Sequence, residues 1–215
     1  MTVAQHESWG DEGAQLAVVA LHGRGQPPEF LHGLVERLDV PGIRWIAPSA
    51  EGRSWYPHPF LDPSPENATA LARALEVVTD AVESARASGF DRVAVLGFSQ
   101  GACTLAHLLL TRDVVVDGAV LFTGGYVGAA ELAPGAVVTR QGVPVLLRSV
   151  DDDPWVPLHR MASTSGLLVG AGAHLDVLIE PGSEHVITDR AVADARVLLA
   201  RLRDGGDVGG VGGGY

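Results

Sequence analysis

Cysteine is nearly absent from this chain, and lysine is absent altogether. The single cysteine, Cys103, excludes an internal disulfide framework. None is needed, because a domain of 215 residues can bury roughly 70 to 75% of the surface its unfolded chain exposes. Basic residues are few, 15 and all arginine, against 26 acidic ones, for a net charge of -11. That balance disfavours nucleic acid and anionic membrane surfaces, which need clustered positive charge to neutralise phosphates. Long apolar runs are missing too. The first, Leu16–Leu21, is too short for a signal peptide or a membrane span, and no basic n-region precedes it. There is no His-Glu-x-x-His pattern and no cysteine cluster, and His58 has no partner at metal-ligand spacing, so no metal and no cofactor is expected. The reading so far is a soluble, cytoplasmic protein without stable membrane insertion, a monomer or a homodimer.

Glycine is plentiful, and short apolar runs recur between amphipathic stretches. Leu16–Leu21, then 43–47, 92–96, 118–122, 143–150 and 175–179, read as strands covered on both faces. Residues 30–38, 68–87, 102–110, 157–168 and 186–203 read as helices, the second with Leu71, Leu75, Val78 and Val82 on one face. Strands alternating with helices imply an α/β fold, a mostly parallel sheet with helices on both faces. The segment 123–142 is too short for a separate lid domain. One domain is expected over residues 1–204, followed by a Gly-rich tail, 205–215, with too little apolar surface to offset the entropy of ordering it. The segment 49–67 has no clear period but holds Trp55, Tyr56, His58 and Phe60, and a loop of that length in a compact domain is usually functional.

The most informative stretch is Leu96-Gly97-Phe98-Ser99-Gln100-Gly101-Ala102. Glycines two residues either side of Ser99, between a strand and a helix, allow the sharp turn of a nucleophile elbow, which exposes the serine hydroxyl at the carboxyl end of a sheet. A serine hydroxyl is a weak nucleophile and needs a base oriented by a carboxylate, which in this fold class follow in the order Ser, Asp or Glu, His. His185, in the loop after the last strand, fits the base better than His159 or His174, which open a helix and precede a strand. Asp151, Asp152 and Asp153 all stand at the end of the 143–150 strand. Asp153 is favoured because Pro154 and Pro157 restrict the backbone after it. The oxyanion that forms in acyl transfer would be held by the backbone N–H of Gln100, at a helix start, and by that of Arg24 in the glycine-rich loop after the first buried strand. The Arg24 side chain could also meet an anionic group of a substrate, although a plain salt bridge is the commoner fate of such an arginine.

With these residues in place, the chain resembles the phospholipase/carboxylesterase family of small α/β-hydrolases, the group that includes acyl-protein thioesterases. The resemblance rests on Leu21-His22-Gly23-Arg24-Gly25, Ala47-Pro48 followed by Ser54-Trp55-Tyr56, Gly97-Phe98-Ser99-Gln100-Gly101-Ala102, Asp153-Pro154-Trp155-Val156-Pro157 and Gly182-Ser183-Glu184-His185. It implies an α/β-hydrolase fold and a cofactor-free, lidless enzyme acting on a small-molecule carboxylic ester, thioester or lysophospholipid, with Asp153 as the triad acid. Ser149-Val150 stands where a His-Gly pair often precedes that acid, and the Trp55-Tyr56-Pro57 loop looks closer to a bacterial esterase branch. Gly23, Trp55, Tyr56, His58, Phe60 and Trp155 are then expected around the substrate. The expected function is a serine carboxylesterase. A thioesterase, an acyltransferase, or a hydrolase fold that binds a small molecule without turnover are the alternatives.

Overall fold

The apolar runs of the chain become strands because helices cover both of their faces. The computed structural model describes residues 6–206 apart from Pro28. Among the described residues there are seven strands, β1 (His6–Gly10), β2 (Leu16–Leu21), β3 (Ile43–Pro48), β4 (Arg92–Phe98), β5 (Gly118–Phe122), β6 (Pro144–Val150) and β7 (His174–Glu180). Between them run five helices, α1 (Glu29–Leu38), α2 (Pro65–Ala87), α3 (Gln100–Thr111), α4 (Leu158–Gly170) and α5 (Asp189–Asp204). The strands form one sheet in the order β1-β3-β2-β4-β5-β6-β7. All neighbours are parallel except β1, which runs antiparallel to β3.

Side chains of β2 alternate between two cores. Ala17, Val19 and Leu21 pack with α2, α3 and α4 on one face, and Leu16, Val18 and Ala20 pack with α1 and α5 on the other. Truncating such a buried leucine to alanine typically costs about 2 to 5 kcal/mol, and this two-sided burial is what sets the register of the central strands. The result is the α/β-hydrolase architecture read from the sequence. Among the described residues there is no separate lid: the link from β5 to β6 carries only a short 3-10 turn, Pro134–Ala136.

Helix boundaries follow capping chemistry. Ser64 accepts a hydrogen bond from the N–H of Asn67, and Pro65 occupies the first turn, so α2 starts a few residues before its apolar stripe becomes visible. Thr188 does the same for Ala191 and delays α5 to Asp189. Gly205 closes α5 in the left-handed region, at φ 72°. The rest of the expected tail, from residue 207, lies outside the described residues. No helix among the described residues is long and apolar enough to cross a membrane.

Strand β1 is not visible in the sequence pattern. His6–Gly10 has one apolar side chain, Trp9, which stacks on His32 with ring centroids 4.2 Å apart. Backbone pairing with β3, from His6 opposite Pro48 to Gly10 opposite Arg44, accounts for the rest.

Candidate active site

The expected site residues come from loops at the carboxyl ends of four parallel strands, the edge of an open α/β sheet where ligands bind. Residues 22–26 follow β2, Ser99 follows β4, Asp153 follows β6 and His185 follows β7. Register brings these ends level: Leu21 pairs with Gly97, Phe98 with Phe122, and Val150 with Glu180.

Ser99 joins β4 to α3 with φ 54° and ψ -120°, a conformation that a residue with a Cβ adopts at a cost of roughly 1 to 3 kcal/mol. It is held there by its N–H donating to Phe122 O at 3.0 Å and its carbonyl accepting from Cys103 N–H at 2.9 Å. The flanking glycines are required by space. A Cβ on Gly97 would stand 2.7 Å from the Ala102 nitrogen, and one on Gly101 would stand 2.5 Å from Leu21 O.

Three side chains form a continuous relay. Ser99 Oγ lies 2.7 Å from His185 Nε2, and His185 Nδ1 lies 2.7 Å from Asp153 Oδ2. The carboxylate fixes the tautomer by this network: the ring proton sits on Nδ1, which leaves Nε2 to accept from the serine hydroxyl. The other carboxylate oxygen, Oδ1, accepts the N–H groups of Trp155 at 2.8 Å and Val156 at 2.9 Å. Burial alone would raise the Asp153 pKa, but the hydrogen bonds from His185, Val156 and Trp155 outweigh it and hold the carboxyl below its usual range. Asp153 is thus the member of the Asp triplet that meets His185. Asp151 instead accepts the N–H of Gly182 at 2.9 Å and ties the β6 and β7 loops together.

Beside this relay lies a cavity of about 510 Å³, lined by Ser99, His185, Gln100, Arg24, Tyr56 and Phe60, together with Pro59, Cys103, Val156 and Trp155. Trp155 is 70% exposed. Burial raises the Tyr56 hydroxyl well above its ordinary pKa and the Cys103 thiol to about 11, so both are neutral at pH 7. The backbone N–H groups of Arg24 and Gln100 make no hydrogen bond among the described residues.

Of the six residues expected around a substrate, Tyr56, Phe60 and Trp155 line the cavity, whereas Gly23, Trp55 and His58 do not. Trp55 is 3% exposed and points into the core, its indole N–H donating to His22 O at 2.9 Å. An aromatic beside a strand end buries more apolar area inward than toward a wet cleft, and sequence proximity does not distinguish the two. His58 is exposed and contributes backbone instead: its N–H donates to Asn67 Oδ1 and its carbonyl accepts from Arg24. Gly23 acts as a spacer, since a Cβ there would stand 3.2 Å from that of Ser99. Arg24 has no salt bridge among the described residues and donates to carbonyls of the aromatic loop.

Two side chains that hold this loop went unread in the sequence. Gln100 Oε1 accepts the N–H of Trp55 at 2.9 Å and its Nε2 donates to Tyr56 O at 2.7 Å. Asn67 Nδ2 donates to Pro59 O at 2.8 Å. Asn67 sits on the same stripe of α2 as Leu71, Ala74 and Val78, and a polar residue on a buried stripe is the signal that could have found it. No group of three or more His, Cys, Asp or Glu among the described residues could hold a metal ion.

A model of the phospholipase/carboxylesterase family matches residues 8–202. A solved phospholipase/carboxylesterase from Dyadobacter fermentans is similar at 30% identity and TM-score 0.85, over 90% of this chain and 95% of that one. The carboxylesterases of Bacillus cereus and Mesorhizobium loti share the fold. The first has 20% identity, TM-score 0.78 and coverage of 94% of this chain and 95% of that chain. The second has 24% identity, TM-score 0.72 and coverage of 87% and 89%. Among curated proteins, none matches the chain significantly.

Proposed function

The chain belongs to the phospholipase/carboxylesterase family, and from that membership we propose that it is a serine carboxylesterase that cleaves small-molecule esters through an acyl-enzyme on Ser99. The observation that carries this reading is the relay of two 2.7 Å hydrogen bonds, Ser99 to His185 and His185 to Asp153, with the serine in a strained turn beside an open cavity. Ser99 Oγ attacks the ester carbonyl while His185 Nε2 takes its proton, a transfer worth typically 10² to 10⁴-fold in rate. The imidazolium that forms is stabilised by Asp153, whose depressed pKa keeps it ionised. The carbonyl oxygen becomes an anion, and the undonated N–H groups of Arg24 and Gln100 receive it. Each such donor is worth roughly 3 to 4 kcal/mol. His185 returns the proton to the leaving alcohol, and water, activated by the same imidazole, releases the acyl group.

The apolar lining from Pro59, Phe60 and Val156 suits an apolar substrate portion. Hydrolysis of a chromogenic ester series from acetyl to long chain is therefore expected, with short and medium acyl groups preferred. Ser99→Ala should lower kcat by roughly 10⁴-fold or more with the fold intact. A mutant that keeps its activity would refute the assignment. Assay of thioesters and of alcohol acceptors in parallel would separate the thioesterase and acyltransferase readings, which share the same machinery.

A further inference from the structure

Among the residues lining the Ser99 cavity, Arg24 carries the permanent charge, and nothing acidic neutralises it. Its guanidinium is fixed from one side only. Nη1 donates to Pro57 O at 2.6 Å, Nη2 donates to His58 O, and the group lies over the Tyr56 ring at 5.6 Å from the centroid. Guanidinium has a planar fork of N–H donors. Two carbonyls leave its Nε–H, and a further N–H on each of the other nitrogens, without a partner among the described residues. The carboxylate of Asp153 cannot serve, because its side chain is fully buried beneath His185 and both of its oxygens are engaged. Tyr56 and Cys103 stay neutral for the reason given above. The remaining wall is apolar, from Pro59, Phe60, Val156 and Trp155.

A cavity of apolar walls with one convergent charged group orients its ligand by that group. An arginine kept beside a nucleophile, clamped by backbone carbonyls and stacked on an aromatic face, is held still at little further entropic cost when a ligand arrives. We propose that Arg24 is a specificity-determining residue that binds a carboxylate on the substrate, so that the preferred esters carry one carboxylate a few atoms from the scissile bond. One guanidinium matches one unit of negative charge, which favours a carboxylate over a dianionic phosphate, and the planar fork suits carboxylate geometry. The inference rests on the serine esterase reading for its chemistry. It adds the side chain of Arg24 to a residue whose backbone N–H that reading already uses.

The experiment compares kcat/KM for p-nitrophenyl hemiglutarate and p-nitrophenyl valerate, which match in length and differ in the terminal carboxylate, in the wild type, Arg24→Gln and Arg24→Lys. The wild type should favour the hemiglutarate. That preference should fall about 10 to 100-fold in Arg24→Gln, the range of a charge-assisted hydrogen bond, and partly return in Arg24→Lys. An unchanged preference in Arg24→Gln, or a wild-type preference for valerate, overturns the inference while leaving a Ser99-dependent esterase standing. If neither ester is turned over, the esterase reading fails and binding is read instead. Glutarate should then raise the Tm of the Ser99→Ala protein more than glutaramide does, and no such difference overturns the inference on its own. An Arg24→Gln protein that does not fold is replaced by Arg24→Lys, in which an unreduced preference for the carboxylate ester speaks against a guanidinium fork.

Discussion

Asp153 does two jobs with its two oxygens, and they can be separated. Oδ2 meets His185, while Oδ1 accepts the N–H groups of Trp155 and Val156 and so shapes the turn into α4. Asp153→Asn keeps an amide oxygen that can still accept those two N–H groups, so the fold should survive. The amide facing His185 loses the negative charge and presents a donor or a weaker acceptor, so the ring is no longer held as the Nδ1–H tautomer. Activity should drop by roughly 10³ to 10⁴-fold at pH 7 with the Tm shifted little. A variant with near wild-type kcat would show that the carboxylate is structural only. Cys103 is a buried core residue, 2% exposed, and it also borders the cavity one helical turn beyond Ser99.

Segment 49–64 is irregular but not loose, because side chains from two helices pin its backbone. Gln100 spans Trp55 and Tyr56, Asn67 takes Pro59 and His58, and Phe60 O receives the N–H of Gly128 at 2.7 Å. A buried backbone group left without a partner costs about 1 to 3 kcal/mol. Gln100→Leu strands the N–H of Trp55, leaves the Tyr56 carbonyl with the Ser54 hydroxyl as its one remaining donor, and keeps the backbone N–H at the start of α3. The expected outcome is a Tm lower by about 2 to 4 °C for each kcal/mol lost, and a KM that rises more than kcat falls, since Tyr56 and Phe60 move with the loop. Equal Tm and KM in calorimetry and ester kinetics would mean that water substitutes for the glutamine.

The whole molecule is set to lose stability in mild acid. Burial, aided by the charge of Arg112 and only partly opposed by the nearby Val127 backbone, pushes His107 down to about 4. Burial likewise lowers His22, against the hydrogen bond to the Gly23 carbonyl and with a contribution from Arg53. Below about pH 6.5 the unfolded chain binds protons at these histidines that the folded chain refuses, so stability falls as pH drops from about 6.5 toward 4. Asp153 adds a loss lower still, because its folded pKa lies below the unfolded one and its contribution fades as pH falls through that depressed value. Urea midpoints between pH 7 and pH 4.5 should decline, and His107→Gln should flatten the decline. Parallel slopes for the two proteins would sink this account.

Much of the fold was legible in the sequence because burial on both faces leaves a compositional trace. β2 and β5 are continuous apolar runs, β4 and β6 are apolar apart from Arg92 and the pair Arg148-Ser149, and Gly97 and Gly101 mark the turn at Ser99 because no side chain fits where their hydrogens sit. The chain order Ser, Asp, His pointed to Ser99 and His185, and Pro154, Pro157 and the family resemblance picked Asp153 from the Asp triplet; these three side chains come into contact. Strand β1 left no such trace, since it is held by backbone pairing along β3 and by contacts of Trp9 and Glu7 with residues distant in the chain, His32 and Trp45. Which aromatic faces the cavity was also beyond the sequence. Trp55 and Tyr56 are neighbours in the chain, yet the first turns inward to His22 and the second lines the cavity. That choice, and the placement of the Arg24 guanidinium with no acidic partner among the described residues, depend on carbonyls brought from 33 or more residues away. Local composition encodes burial and turns, whereas the direction of a loop side chain is decided by the long-range hydrogen bonds that only the assembled sheet edge supplies.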